Sequence, residues 1–281
     1  MPTAATLDRL IDLALAEDVG GGDLTTEAIV PAGARGTATV EFRERGVVCG
    51  VPAALAVFHR LDPGMRLDQL VAESGTVAQP PQAVARFTGS HRALLTGERT
   101  ALNLLQRVSG IATLTRRYVE AVTGTGVQLL DTRKTAPGMR ELDRYAVACG
   151  GGGNHRSGLH DAILIKDNHR AVAGGVAAAV RAVRSAHPEL PVEVEVDTLE
   201  QLDQALESAV DTILLDNMPL PVLEQAVRRT GGRARLEASG GITLDTVRAI
   251  AETGVDAISI GALTHSVRAL DVSLEVTPSQ P

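Results

Sequence analysis

Aromatic residues make up only 2 % of this 281-residue chain, tryptophan is absent, and there are two cysteines and two lysines against 25 arginines. With so few rings the core has to be built from Ala, Val, Leu and Ile, which suits tightly packed α/β layers. Cys49 and Cys149 have neither metal-ligand spacing nor a disulfide framework around them, so free thiols in a reducing cytosol are expected. Cys149, beside a glycine run, reads as a small buried residue. No apolar run reaches membrane-spanning length. Asp8, Arg9 and Asp12 interrupt the first apolar pattern where a signal peptide would be unbroken. A net charge of −7 lacks the basic footprint that nonspecific nucleic-acid binding requires. The expectation is a cytoplasmic protein with neither a nucleic-acid nor a membrane partner.

The scarcity of lysine is itself informative. Arginine has been taken almost wherever a cation was needed, yet Lys134 and Lys166 remain, both in the motif-dense middle of the chain. An ammonium is a compact point charge with rotatable donors, whereas a guanidinium is a planar fork, so a site that needs the first does not accept the second.

The length admits one α/β barrel plus a smaller domain. Residues 6–17 have Leu7, Leu10, Ile11, Ala14 and Leu15 at helical spacing, and GGGDLT ends that helix. Short Val- and Phe-containing segments between Ala38 and Gly89, with one helix at PAALAVFHRL, predict a small mixed α/β domain. A long helical stretch from about His91 to Val122 follows, with a break expected at Ser109-Gly110. From Gly126 the pattern becomes strand then helix: VQLLDTRK, AILIKDNH, PVEVEVDT, TILLDNM, RLEASGGI and AISIGALT. Such alternation predicts βαβ units on a parallel sheet. Six strands rather than eight point to an irregular, incomplete α/β barrel. In one of the intervening helices Thr198 and Gln201 are placed for a capping box, and another ends at Gly254, a suitable residue just past a helix.

Each strand ends in polar or glycine residues, and barrel sites gather at the C-terminal ends of strands, so six segments should converge on one rim. In Val192–Asp197 the acids Glu193, Glu195 and Asp197 share a strand face, a costly row unless cations or a metal pair with it. ASGGI and SIGALTH, each a strand end with a glycine turn before a helix, have the makings of a phosphate site. The four glycines 150–153 suggest close backbone approach to a ligand, with His155, Arg156 and Lys166 placing cations beside it. Together with Arg133 and Lys134 these form a basic pocket facing Glu195, Asp197 and Asp216. A polyanionic ligand with a divalent ion would satisfy both halves, and Mg²⁺ suits the hard oxygen donors.

GERTALNLLQRVSGIAT, DTRKTAPG, YAVACGGGGNHRSGLHDAILIKDNH, EVEVDT, ILLDNM, EASGGI and SIGALTHS together resemble the quinolinate phosphoribosyltransferase family, type II phosphoribosyltransferases of de novo NAD synthesis. The match spans nearly the whole chain. Ala136 departs from it, standing where a second threonine often follows the Lys-Thr pair, with no catalytic consequence expected. The resemblance implies an N-terminal α/β sandwich (1–108, joined by residues 267–281) and a barrel catalytic domain (109–266). It implies a homodimer, with assembly to a hexamer open, in which Arg99 reaches the neighbouring subunit's site. It also implies quinolinate binding by Arg99, Thr132, Arg133, Lys134, His155, Arg156 and Lys166. For phosphoribosyl pyrophosphate (PRPP) it implies Lys134, Lys166, Glu195, Asp216, Ser239, Gly240, Gly241, Ile260, Gly261, Ala262 and His265. Lys134, Lys166, Glu195 and Asp216 would be catalytic, the two acids also holding Mg²⁺, through water or directly. The product would be nicotinate mononucleotide, with release of pyrophosphate and CO₂. A related enzyme acting on nicotinate or another aromatic acid is the first alternative, although one carboxylate would need fewer cations. A Schiff-base aldolase using Lys166 is a remote one, and a binding-only barrel would have no use for Glu195 and Asp216.

Overall fold

The computed structural model describes residues 1–278; positions 279–281, the end of the 267–281 segment, lie outside the described residues. The chain divides into two compact units, one of Met1–Arg116, Thr135–Gly151 and Ser266–Pro281, the other of Arg117–Lys134 and Gly152–His265.

The first unit is built on an antiparallel sheet. β1 (Arg35–Phe42), β3 (Arg66–Gln69), β5 (Gln82–Ser90) and β12 (Val272–Pro278) pair in the order β12-β1-β5-β3. A separate short ladder joins β2 (Gly46–Val47) to β4 (Thr76–Val77). In β1, Gly36, Ala38, Val40 and Phe42 are buried and alternate with partly open positions, the period of two expected of a sheet with one face on a core. β12 brings the chain's end back beside β1, with Phe42 opposite Val272. Helix α1 (Ala4–Val19) is longer than residues 6–17 because the Thr3 hydroxyl accepts the Thr6 N–H at 3.3 Å and starts it earlier. Leu7, Ile11 and Leu15 form its buried face. α2 (Leu24–Ile29) and α3 (Val51–Leu61) follow.

Helix α4 (His91–Ala121) runs without the break expected at Ser109-Gly110. These two residues serve packing instead. A Cβ on Gly110 would lie 2.3 Å from the Arg268 carbonyl oxygen, so glycine allows a segment of backbone to lie against the helix. Ser109 Oγ accepts from the Cys49 N–H at 3.1 Å and donates to the Cys49 carbonyl at 2.8 Å. α5 (Arg140–Gly150), in a stretch the sequence reading placed with the barrel, packs in the first unit. Its Asp143 is fully buried and takes two bonds from Arg107 of α4, at 3.0 and 2.8 Å. The spacing of the cysteines gave no hint that Cys49, Cys149 and the carboxylate of Glu73 bring their ligand atoms within 4.8 Å of one another. Glu73 is already satisfied by the N–H groups of Gly50 and Val51 and the Tyr145 hydroxyl, and both cysteines are free.

The second unit is a parallel sheet of the six strands read from the sequence. They are β6 (Gln128–Leu130), β7 (Ile163–Ile165), β8 (Val192–Val196), β9 (Thr212–Asp216), β10 (Arg235–Ser239) and β11 (Ala257–Ser259). Their order is β6-β11-β10-β9-β8-β7. Among the described residues no ladder joins β6 to β7, so the sheet stays open, with one parallel bridge, Leu130 to Gly153, beyond the named strands. The intervening helices are α6 (Asp167–Ala173), α7 (Val176–Ala186), α8 (Leu199–Glu207), α9 (Leu220–Thr230), α10 (Val247–Glu252) and α11 (Ala262–His265). At α8 half of the expected capping box forms. Thr198 Oγ1 accepts the Gln201 N–H at 3.3 Å, but the Gln201 side chain accepts from Asp197 N–H, one residue earlier than the reciprocal bond.

Candidate active site

All six parallel strands or their following turns contribute to one cavity of about 400 Å³ in the second unit. Thr132, Arg133 and Lys134 enter after β6, Lys166 after β7, Glu195 from β8 and Asp216 from β9. Ser239, Gly240 and Gly241 close the end of β10, and His155 and Arg156 come from the loop that follows the glycine run. This is the convergence at the C-terminal rim that the strand ends predicted.

The row of acids on β8 is paired residue by residue. Glu193 lies 3.2 Å from His155 Nε2, Glu195 takes Lys166 Nζ at 2.6 Å, and Asp197 takes Arg170 at 2.8 Å. Asp197, expected to face the pocket, is outside its lining. Lys166 Nζ is thus engaged by Glu195, whereas a Schiff-base nucleophile needs a free amine facing its carbonyl.

The opposite wall is cationic. Arg133 Nε is buried with no hydrogen-bond partner, and Arg156 is pushed below the usual guanidinium range by burial and by the nearby charge of Arg133. Two guanidinium groups that repel each other, one with a donor unfilled, are arranged for an anion. Asp216 is pushed above the usual carboxylate range by burial and by the charges of Glu195 and Asp197, against the Asn217 amide bond and Lys166.

The turn after β10 holds Gly240 at φ +93° and Gly241 at φ +61°, both left-handed, and a Cβ on Gly240 would strike the Asn217 amide at 2.2 Å. Consecutive glycines in this conformation turn backbone N–H groups toward a concave anion site. After β11, Gly261 lies under Lys134: a Cβ there would be 3.0 Å from Lys134 Cδ and 3.1 Å from His265 Cδ2. Thr264 Oγ1 donates to the Lys134 carbonyl at 2.8 Å. Gly261 is therefore beside Lys134, and none of Ile260, Gly261, Ala262 and His265 is in the cavity lining. Arg99, on α4 in the first unit, has its side chain 57 % exposed and borders a separate depression with Asp18 and Asp23.

The four glycines do not approach the cavity, contrary to the expectation from sequence. Gly150 lets α5 pack on the Ala112 carbonyl and Thr115 of α4, Gly151 caps α5 in the left-handed region, and Gly153 fits against Gln128 and Leu130. Their consequence is to set up the next two residues. Asp131, fully buried, accepts from Asn154 Nδ2 and from the His155 N–H, both at 2.7 Å.

Sequence reasoning missed Glu237 in the middle of β10. It is 3 % exposed, lines the cavity and has Oε1 3.6 Å from His155 Nε2. In a five-residue strand that also carries Arg235, an acid at the centre does not stand out until the fold buries both faces. Burial, then the charge of Glu193, push its carboxyl up to about 7 against the pull of His155. For His155 burial disfavours the proton, but Glu193 and Glu237 outweigh it and raise the pKa. His155, Glu193 and Glu237 bring ligand-type atoms within 4.8 Å of one another. The ring is nevertheless unsuited to a metal: Nδ1 accepts the Arg156 N–H at 2.7 Å, so the proton sits on Nε2 and points at the carboxylates.

An open parallel sheet with a left-handed glycine turn, a cationic wall and carboxylates at its C-terminal rim is the architecture of an α/β enzyme with an anionic substrate. Residues 111–275 match the C-terminal domain of quinolinate phosphoribosyl transferase and residues 23–109 the N-terminal domain. The chain is 50 % identical over 269 residues to nicotinate-nucleotide pyrophosphorylase [carboxylating] of Mycobacterium leprae, covering 94 % of each chain. NadC from Streptococcus pyogenes superposes with a TM-score of 0.95 at 38 % identity, over 100 % of this chain and 99 % of that one. The nicotinate-nucleotide pyrophosphorylase of Francisella tularensis superposes at 0.94 with 40 % identity, covering 99 % and 98 %. The chain belongs to the quinolinate phosphoribosyltransferase family. Its activity is that family's, EC 2.4.2.19, in de novo NAD biosynthesis.

Proposed function

We propose that the cavity binds quinolinate on its cationic wall and PRPP between the carboxylates and the glycine turn. Arg133 and Arg156 take the two ring carboxylates, with Thr132, Lys134, His155 and Lys166 around them, and Arg99 of the partner subunit completes the set. Ser239, Gly240 and Gly241 receive the 5′-phosphate, with Ile260, Gly261, Ala262 and His265 supporting the same side through Lys134. The observation that carries this reading is the buried, unpartnered Nε of Arg133 beside Arg156.

In the reaction the pyridine nitrogen attacks C1 of the ribose as pyrophosphate leaves. Positive charge grows at C1, and Glu195 and Asp216 stabilise it across the low-dielectric cavity. Lys134 and Lys166 neutralise the departing pyrophosphate, and the paired arginines hold the ring in line. The C2 carboxylate then leaves as CO₂; the electron pair of the broken bond stays on C2, stabilised by the adjacent quaternised nitrogen, and is taken up by a proton from solvent to give nicotinate mononucleotide. Glu195 and Asp216 also fit a divalent cation such as Mg²⁺, because both present hard oxygen donors and the repulsion that raises Asp216 is relieved by one. When bound, such an ion supplies further charge neutralisation at the pyrophosphate.

A homodimer is part of the proposal. The exposed Leu13, Leu24 and Ile29 of the first unit, 70 %, 85 % and 74 % accessible, support a covered face there. A cytoplasmic location is supported by the two free thiols, and no described helix is long and apolar enough to cross a membrane.

The arginine wall is tested by Arg133→Ala and Arg156→Ala, with quinolinate affinity measured by calorimetry. A loss of about 10- to 100-fold, the worth of a charge-assisted bond pair, is expected with little change for PRPP. Unaltered quinolinate binding in both variants would place the dicarboxylate elsewhere.

A further inference from the structure

His155 is held at four points. Its N–H goes to Asp131, its Nδ1 to the Arg156 N–H, and its Nε2 faces Glu193 at 3.2 Å and Glu237 at 3.6 Å. The next residue is Arg156, whose Nη1 donates to the Ala162 carbonyl at 3.3 Å and whose guanidinium lines the cavity. A single chain of contacts therefore runs from the centre of β10 to the cationic wall. We propose that Glu237 is a positioning residue for the dicarboxylate: with Glu193 it locks the His155 imidazole, and through His155 Nδ1 it fixes where Arg156 stands. This rests on the reading of Arg133 and Arg156 as the quinolinate wall.

Why two carboxylates face one ring N–H follows from charge. Glu193 Oε1 and Glu237 Oε1 are both buried without a hydrogen-bond partner, so the trio holds one acceptor too many unless a proton joins it. The groups facing Glu237 decide which member takes it. Glu193 comes from β8 and His155 from its loop, the Ser259 hydroxyl on β11 lies near enough to favour the carboxylate, Arg235 lies on its own strand, and its neighbour in register on β9 is the apolar Leu214. With no strong cation against it, Glu237 is the more deeply buried carboxylate, 3 % exposed against 12 % for the Glu193 side chain. A proton on Glu237 keeps His155 neutral on Nδ1, so the Arg156 N–H bond survives. It also removes one negative charge from the floor on which a dianion lands. As pH rises through about 7 the proton is lost. The floor then carries an added negative charge and repels the substrate dianion.

The conservative variant Glu237→Gln keeps the volume and a polar end facing His155 Nε2 without ionising. Glu237→Leu removes the polar end. In steady-state assays of the purified full chain with quinolinate, PRPP and Mg²⁺, wild-type KM for quinolinate should rise roughly tenfold per pH unit at most above about pH 7. Glu237→Gln should match wild type at pH 6 and hold KM nearly flat to pH 8.5, with kcat within about threefold at both ends. Glu237→Leu should raise KM for quinolinate about tenfold at pH 6 while leaving kcat and KM for PRPP within about threefold. A merely structural role would move all three constants together with the melting temperature. The proposal is overturned if Glu237→Gln retains the wild-type pH slope, and that comparison stands even where Glu237→Leu does not fold. If Arg156→Ala leaves quinolinate KM unchanged, the wall assignment itself has failed. If Arg156→Ala raises KM and the Glu237 variants do not, only the role of Glu237 has failed.

Discussion

At the scale of single residues the informative contrast is between the two lysines and the many arginines. Lys166 Nζ is 2.6 Å from Glu195 Oε2, and both line the cavity. The fit at this distance is to a point charge on a flexible stem; a planar fork would have to displace Glu195 or withdraw from it. Lys166→Arg should therefore fail to rescue the loss caused by Lys166→Ala. In both variants we expect kcat to fall on the order of 10²–10³-fold with the melting temperature nearly unchanged. Near-wild-type turnover in the arginine variant, measured by formation of nicotinate mononucleotide, would mean that charge alone suffices there. The composition made Lys134 and Lys166 legible because each was an exception to a rule the chain otherwise keeps. Glu237 obeyed no visible exception of that kind. One acid in RLEAS looks like any strand residue until the fold buries both faces of β10 and brings β8 and the His155 loop onto it.

Elements were legible where hydrophobic periodicity alone defines them. Each of the six parallel strands is a short apolar run ending in a polar cluster, and each was located from that pattern. Long helices are harder, because a glycine inside one reads as a stop although its neighbours in space can require it. Gly110 is the case in point. Substituting alanine gains up to about 1 kcal/mol of helix propensity. The new Cβ would meet the Arg268 carbonyl at 2.3 Å, a backbone atom that cannot rotate away. Overpacking of this kind costs about 1–3 kcal/mol, so the clash wins and Gly110→Ala should lower the melting temperature, with catalytic constants of the folded fraction unaltered. A melting temperature at or above wild type would show that the Arg268 segment shifts freely. The tetraglycine run went astray for the same reason. Gly150 and Gly153 are small because a helix and a strand lie against them, a demand set by tertiary packing and invisible in the local pattern.

The whole molecule raises the question of what completes the site. The cavity in the second unit has its cations, carboxylates and glycine turn from one chain, whereas Arg99 belongs to the first unit and borders a different depression. If Arg99 acts in the partner subunit's cavity, each of two crippled subunits can supply what the other lacks. Arg99→Ala subunits keep an intact cavity, and Lys166→Ala subunits keep an intact Arg99. Random exchange of equal amounts makes about half of the dimers mixed, each with one complete site out of two, so the mixture should recover about a quarter of wild-type activity. Neither variant alone should approach that value. Exchange has to be verified independently, for instance by mass spectrometry of differently tagged subunits. Mixed dimers with no recovered activity would mean that Arg99 serves its own chain or none. Recovery near one quarter would make the dimer, rather than the subunit, the catalytic unit.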